Sequence, residues 1–264
     1  MPTIQENLKA WDYYYKWPRD GEPWSSPWGT STAQWQHTLL PRIRKFLPAG
    51  TILEIAPGRG RWTRFLKDIC KHLKIVDLSP SCIEACKKRF STNTNISYYT
   101  NNGSSLEMIP DNSVDFVFSF DSLVHVEAIV MKSYMEQIAR KLKVGGGGFI
   151  HHSNLGSYPL LVWATKLSKL ARVYNHLSFI RNQEHWRAHC MTAERFREYC
   201  EQAGLACERQ ELINWRESLA LIDCLSTFVR SESSLLRPCE VVRNSDFMRE
   251  AERARRNSGA EGAE

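Results

Sequence analysis

Several features that would narrow the function at once are missing from this chain of 264 residues. Its eight cysteines (70, 82, 86, 190, 200, 207, 224 and 239) form no Cys-x-x-Cys pair and no dense cluster. That spacing speaks against a zinc ribbon or a disulfide framework and leaves reduced thiols acting as small apolar residues. No run reaches the roughly 18 apolar residues that a membrane-spanning helix requires. Met1 to Lys9 lacks the apolar core of a secretory signal, so the expected location is cytoplasmic, with no stable membrane insertion. Charge of one sign is scarce too: 35 basic against 29 acidic residues leave +6. Arg249, Arg253, Arg255 and Arg256 read as a solvated helix end, and no basic stripe points to nucleic acid. A Gly-x-x-x-x-Gly-Lys-[Ser/Thr] phosphate loop is absent, as are an Asn-Pro-Pro-Tyr run that would grip a flipped base and any internal repeat. With 42% hydrophobic residues, the chain can bury one substantial core without splitting.

What is present begins at Ile52-Leu53-Glu54-Ile55-Ala56-Pro57-Gly58-Arg59-Gly60-Arg61-Trp62. A short apolar run passes through a glycine-punctuated turn into helical spacing (Trp62, Phe65, Leu66, Ile69), which reads as strand, tight loop, helix. The next apolar run, Leu73 to Leu78, carries Asp77, an acid placed at a strand tip where it can hold ribose hydroxyls. A dinucleotide fingerprint wants a small residue three positions after Gly60, and Thr63 stands there, so a pyrophosphate is poorly served. Downstream, helices and strands alternate as in a doubly wound sheet. The spacing predicts a helix over Pro80 to Phe90 capped by Ser79, strands at Asn95 to Thr100 and Val114 to Phe120, and a helix over Glu127 to Leu142. Gly145 to Gly148 read as a turn into the strand Phe149 to His152; a helix over Thr192 to Ala203 and strands at Ala206 to Trp215 and Ile222 to Arg230 follow.

The acid-led turn Glu54-x-Ala56-x-Gly58-x-Gly60 resembles the first motif of class I S-adenosylmethionine-dependent methyltransferases, with Ala56 in place of the first glycine. Ile109 to Phe116 and Leu142 to Gly146 resemble later motifs, so the likeness spans roughly Thr51 to Arg230. The resemblance implies a Rossmann-like α/β fold, a seven-stranded doubly wound sheet whose last strand is antiparallel. It implies S-adenosylmethionine as cofactor, with Glu54, Ala56, Gly58 and Gly60 at the methionine part and Asp77 and Leu78 at the ribose. Asn102 and Gly103 fall where the family touches adenine, and Phe120 where it lines the pocket. Phe118 to His125, Phe149 to Asn154 and Asp223 to Phe228 resemble bacterial sugar and glycan O-methyltransferases. That likeness implies a saccharide hydroxyl as acceptor and admits Mg2+, for which Asp121 and Asp223 are the available carboxylates. The metal question stays open, since no carboxylates cluster in the sequence.

On this reading residues 1–256 form one methyltransferase domain, with 1–50 an aromatic amino-terminal lid region, 155–191 a helical substrate-recognition insert after strand five, and 257–264 a disordered tail. Tyr13 to Tyr15 are expected to pack on the sheet, and Trp28 and Gln34 to sit in the cofactor lid. The amphipathic stretch Leu160 to Leu170 reads as a lid or homodimer helix. Ligands of an open α/β sheet bind beyond the carboxyl ends of its strands. His152 is therefore the expected base for a hydroxyl proton, His151 a packing residue, and Asp121 a group that orients a histidine or holds a metal or sugar hydroxyl. His125, His185 and Arg187 are expected at the acceptor. The leading expectation is O-methylation of a sugar, glycan or other polyhydroxylated metabolite. N-methylation of an amine metabolite and a catalytically silent donor-binding partner subunit are the alternatives.

Overall fold

The computed structural model describes residues 3–163, 186–215, 220–231 and 238–260, with 259 and 260 described by backbone alone. One sheet organises them, with strand order β3-β2-β1-β4-β5-β7-β6-β8. β1 (Ala49–Ile55) lies parallel to β2 (Cys70–Asp77) and β4 (Val114–Ser119), and β3 (Ile96–Thr100) closes that edge beside β2. β5 (Leu142–Ser153) runs parallel to β4. β7 (Asp223–Val229) inserts antiparallel between β5 and β6 (Ala206–Ile213), which is the reversed strand the sequence implied. β8 (Glu240–Asn244) is an eighth strand, parallel to β6 at the far edge. It is five residues long and mostly exposed, so no apolar alternation marks it in the sequence.

The central strands are apolar on both faces because both faces are covered. Ile52, Phe116, Phe118 and Phe149 point into a core closed by Trp28, Leu39, Ile43 and the helix Phe247–Ala260. Leu53, Ile55, Val117 and Ile150 point the other way, against the helices Ala128–Lys141 and Ala193–Gln202. Ser79 and Thr192 cap their helices as the sequence suggested, accepting from Cys82 N at 3.1 Å and Arg195 N at 3.0 Å.

Three expectations about elements are corrected. Gly145 to Gly148 do not precede β5 but lie within it. The glycines let aromatic rings rest on the backbone: a Cβ at Gly147 would come within 2.4 Å of Phe46, and one at Gly148 within 2.3 Å of Phe228. Tyr13 and Tyr14 do not pack on the sheet; they are 68% and 74% exposed. The closing helix continues to Ala260, beyond the point where the sequence placed a frayed tail. All eight cysteines are free thiols. Most of the insert, residues 164–185 including His185, lies outside the described residues, and with it most of the expected Leu160 to Leu170 helix.

Candidate active site

The loop after β1 leaves the strand in a left-handed conformation at Ala56 (φ 56°), Gly58 (57°) and Gly60 (82°). Ala56 is the position where glycine would be at ease, and its neighbours hold it there: Ser122 Oγ donates to its carbonyl at 2.8 Å, and Ala56 N donates to Val76 O at 2.7 Å. Gly58 has a second constraint, since a Cβ there would lie 2.6 Å from the ring of Trp17. Beneath the loop, Thr63 Oγ1 donates to Glu54 Oε2 at 2.6 Å, which accounts for threonine where a dinucleotide site wants a small residue. Glu54 Oε1 is buried without a partner. Burial, with the nearby Asp77 charge, pushes the Glu54 pKa up to about 8. Asp77 accepts from Gly58 N at 3.0 Å and Ser79 N at 2.8 Å, and burial pushes its pKa up to about 6.

These groups edge a first cleft of about 730 Å³ between the ends of β1, β2 and β4. Ala56, Gly58, Asp77, Leu78 and Gly103, expected at the cofactor, all line it. Its other wall was not assigned residue by residue from the sequence. Ile4, Asn7, Leu8, Trp11, Trp17 and Trp24 fold over the opening. Two clamps hold this cover down. Asn7 Nδ2 donates to His125 O at 3.0 Å, and Asp12 accepts from Ser79 Oγ and Ser81 N at the start of the helix Pro80–Arg89. A third anchor is Arg61, which pairs with Asp121 at 2.7 Å and lies 5.5 Å from the ring centre of Trp24. The density of tryptophan and tyrosine before residue 35 was the only sequence signal for this cover.

A second, more open cleft of about 1450 Å³ adjoins the first. Its walls are aromatic: Trp11, Tyr14, Tyr15, Trp24, Trp186 and Trp215. Trp11, Trp24, Asp121 and His125 line both clefts and mark where they meet. His125 Nδ1 lies 3.1 Å from Trp186 O, a group that only accepts, so Nδ1 carries the proton and Nε2 is left as an acceptor. Burial beside the aromatic rings pushes its pKa down to about 4, so it is neutral at physiological pH. Asp121 sits at φ 67°, just past β4. Burial would raise its pKa, but the Arg61 guanidinium outweighs that and holds it below the ordinary carboxylate value.

The structure moves several expected residues away from the clefts. His152 is the main correction. It is fully buried, stacked on Phe196 at 4.1 Å between ring centres, with Nε2 2.8 Å from Ser226 Oγ and Nδ1 3.0 Å from Ser153 O. β5 alternates, and His152 falls on the helix-covered face, so it cannot reach an acceptor; His151 takes the cleft side instead. Burial holds the His152 pKa down to about 4. Trp28 is also corrected: it is buried against Trp215 and Phe247, its indole donating to Thr38 Oγ1 at 2.8 Å, and forms core rather than lid. Asn102 turns outward and accepts from Ser104 N and Ser105 N, so its carbonyl is spent on its own loop. Gly60 backs onto Phe90 and Glu54 lies under the loop, so both shape the first cleft without lining it. Gln34 is buried with both amide atoms unpartnered and lines neither cleft. Phe120 lines a small recess beside Gly58, Arg61 and Trp62. Arg187 lines the second cleft and is paired with Asp223. Among the described residues no group of three or more His, Cys, Asp or Glu side chains could hold a metal ion, and Asp121 and Asp223 each face an arginine. The donor set therefore does not fit Mg2+.

Residues 52–146 match the family described as a methyltransferase domain. A phosphoethanolamine N-methyltransferase of Triticum aestivum is 32% identical over 120 residues, which are 43% of this chain and 23% of that protein. The chain thus spans less than a quarter of the length of that curated relative. Among solved structures, the N-methyltransferase NodS of Bradyrhizobium japonicum, in complex with S-adenosylhomocysteine, superposes with a TM-score of 0.57 at 17% identity, covering 87% of this chain and 98% of that one. The PH0226 protein of Pyrococcus horikoshii gives a TM-score of 0.53 at 16% identity, covering 84% and 95%. Over residues 52–146 the chain is thus similar to a methyltransferase domain, and its described residues share the fold of these solved structures. No helix among the described residues is long and apolar enough to cross a membrane.

Proposed function

We propose that the protein methylates a hydroxyl of a small, neutral, polyhydroxylated acceptor, a sugar or related metabolite, held in the aromatic cleft. The observation that supports this reading is the meeting of the two clefts at Trp11, Trp24, Asp121 and His125. S-adenosylmethionine, when bound, supplies an electrophilic methyl group. Asp77, which lines the first cleft, would hold its ribose. Trp11 and Trp24 cover both clefts and exclude water from the junction. His125, neutral and with Nε2 free to accept, replaces His152 as the group that takes the acceptor's proton.

Charge balance favours a neutral acceptor. Each carboxylate beside the second cleft already faces a guanidinium: Asp121 with Arg61 at 2.7 Å, Asp223 with Arg187 at 2.7 Å. Broad aromatic walls then suit the apolar face of a sugar ring. A second reading is N-methylation of an amine. The six rings that line the cleft could face an organic cation, and two of the similar proteins are N-methyltransferases.

The test is incubation with S-adenosylmethionine and a panel of sugars, polyols and small amines, reading S-adenosylhomocysteine and methylated product by mass spectrometry. Methylated polyol supports the first reading and methylated amine the second. Donor binding with no product from any acceptor would overturn both in favour of a silent partner subunit.

A further inference from the structure

Behind the aromatic cleft lies a fully buried carboxylate that three polar side chains face. Asp223, the first residue of β7, is 0% exposed. Arg187 grips it in a fork, Nε to Oδ1 and Nη2 to Oδ2, both at 2.7 Å. Trp215 Nε1 donates to Oδ2, and His151 Nε2 lies 3.1 Å from the same oxygen, bent from a straight hydrogen bond. On its other side His151 Nδ1 accepts the backbone N–H of Asp121 at 3.1 Å. Asp223 does not itself line the cleft, yet Arg187, Trp215 and Asp121 all do. Three separate chain segments thus reach one wall through one side chain: the end of the insert, the loop after β6 and the loop after β4.

Asp121 is the strained member of this wall. At φ 67° it holds a left-handed backbone that a non-glycine residue adopts only under constraint. Its N–H would be unsatisfied in the buried strand end without the His151 ring. His151, squeezed between Phe120 at 4.7 Å and Trp215 at 6.0 Å between ring centres, cannot turn away.

We propose that Asp223 and His151 are positioning residues of the acceptor cleft: together they fix Arg187, Trp215 and the left-handed Asp121 peptide as one rigid wall. The proposal rests on the reading that this cleft takes the acceptor. Neither residue lines the donor cleft, and of the groups they hold Arg187 and Trp215 line the acceptor cleft alone, while Asp121 borders both.

The test compares Asp223→Asn, His151→Leu and His151→Asn. A hydrogen bond to a charged group is worth about 1.5–3 kcal/mol, so Asp223→Asn and His151→Leu are expected to raise the KM of the methylated acceptor about tenfold or more. Affinity for S-adenosylhomocysteine stays near the wild-type value in Asp223→Asn, because Arg187 and Trp215 line the acceptor cleft alone. His151→Asn places a carbonyl near the position of Nδ1 and keeps the Asp121 hydrogen bond, so its KM is expected to lie close to wild type. In protein labelled with 15N at tryptophan and aspartate, the Trp215 indole and Asp121 amide should exchange faster with solvent in Asp223→Asn, and the Asp121 amide alone in His151→Leu. Unchanged exchange at both groups, or His151→Asn behaving like His151→Leu, would overturn the proposal. If Asp223→Asn fails to fold because Arg187 is left unpaired, the two His151 variants decide. If the wild type methylates no acceptor, the functional reading falls, and the exchange measurements decide the positioning role by themselves.

Discussion

The two clefts that meet at His125 are built on different physical principles. The donor cleft is edged by backbone: left-handed turns at Ala56 and Gly58, the end of β2, and a carboxylate, Asp77, held by two peptide N–H groups. Its acids are buried without cationic partners, so Asp77 and Glu54 are both harder to ionise than in water. The acceptor cleft is edged by side chains, six aromatic rings and two carboxylate–guanidinium pairs, and there Asp121 and Asp223 are held ionised instead. One cleft thus relies on backbone and on a lining carboxylate that peptide N–H groups hold. The other presents flat, charge-balanced walls whose shape depends on distant segments of chain.

The largest expected effect separates His125 from His152, the base that the sequence suggested. His125→Ala should lower turnover about 10²–10⁴-fold, as removal of a proton acceptor does, with donor affinity little changed. His152→Ala should leave turnover near wild type but destabilise the fold by about 2–4 kcal/mol, since it empties a buried site stacked on Phe196. Equal turnover deficits in the two variants would erase the distinction between the clefts.

A smaller effect is expected for the tryptophans. Trp11 lines both clefts and Trp186 only the second. Trp11→Ala should weaken donor binding and raise acceptor KM together, each by about tenfold, because apolar ligand surface that the indole covers would stay in water. Trp186→Ala should raise acceptor KM alone. Calorimetry and steady-state kinetics on the two variants check this.

The donor side should also respond to pH. Asp77 must be ionised to accept from two ribose hydroxyls, and in the folded protein it gains its proton near pH 6. Donor affinity is therefore expected to be level above pH 7 and to fall up to about tenfold for each unit below 6. Titrations at a series of pH values check this.

A separate effect, read on stability rather than on binding, concerns Glu54 in the ligand-free protein. Its folded pKa, about 8, lies above the ordinary 4.5, so the folded chain holds the extra proton between those values. That stabilising contribution is complete below pH 4.5 and is lost as pH rises through 8. Glu54→Gln should remove this part of the fall in melting temperature between pH 5 and 8.

The contrast between the clefts also explains how far the sequence could be read. One wall of the donor cleft is local: Ala56, Gly58, Asp77, Leu78 and Gly103 come from one run of chain in which turn chemistry and strand endings are visible residue by residue. The sheet was legible for the same reason, except for the exposed edge strand β8 and the glycines inside β5. The acceptor cleft is not local. Asp121, Arg187, Trp215 and Trp24 meet only after β7 has inserted between β5 and β6, and no spacing rule reports that. The period of two within β5 said that one of His151 and His152 faces the clefts but not which one; the bend through Gly145 to Gly148 shifts the register that would decide it.

The central claim, a donor site formed by the loop after β1 and Asp77, is tested most directly by calorimetric titration of the full chain with S-adenosylhomocysteine at pH 7.5, beside Asp77→Ala. One saturable site in the wild type, weakened about 100-fold or more in the variant by removal of two charge-assisted hydrogen bonds, is the expected result. Absence of binding to well-folded wild type, or equal affinity in Asp77→Ala, would contradict it.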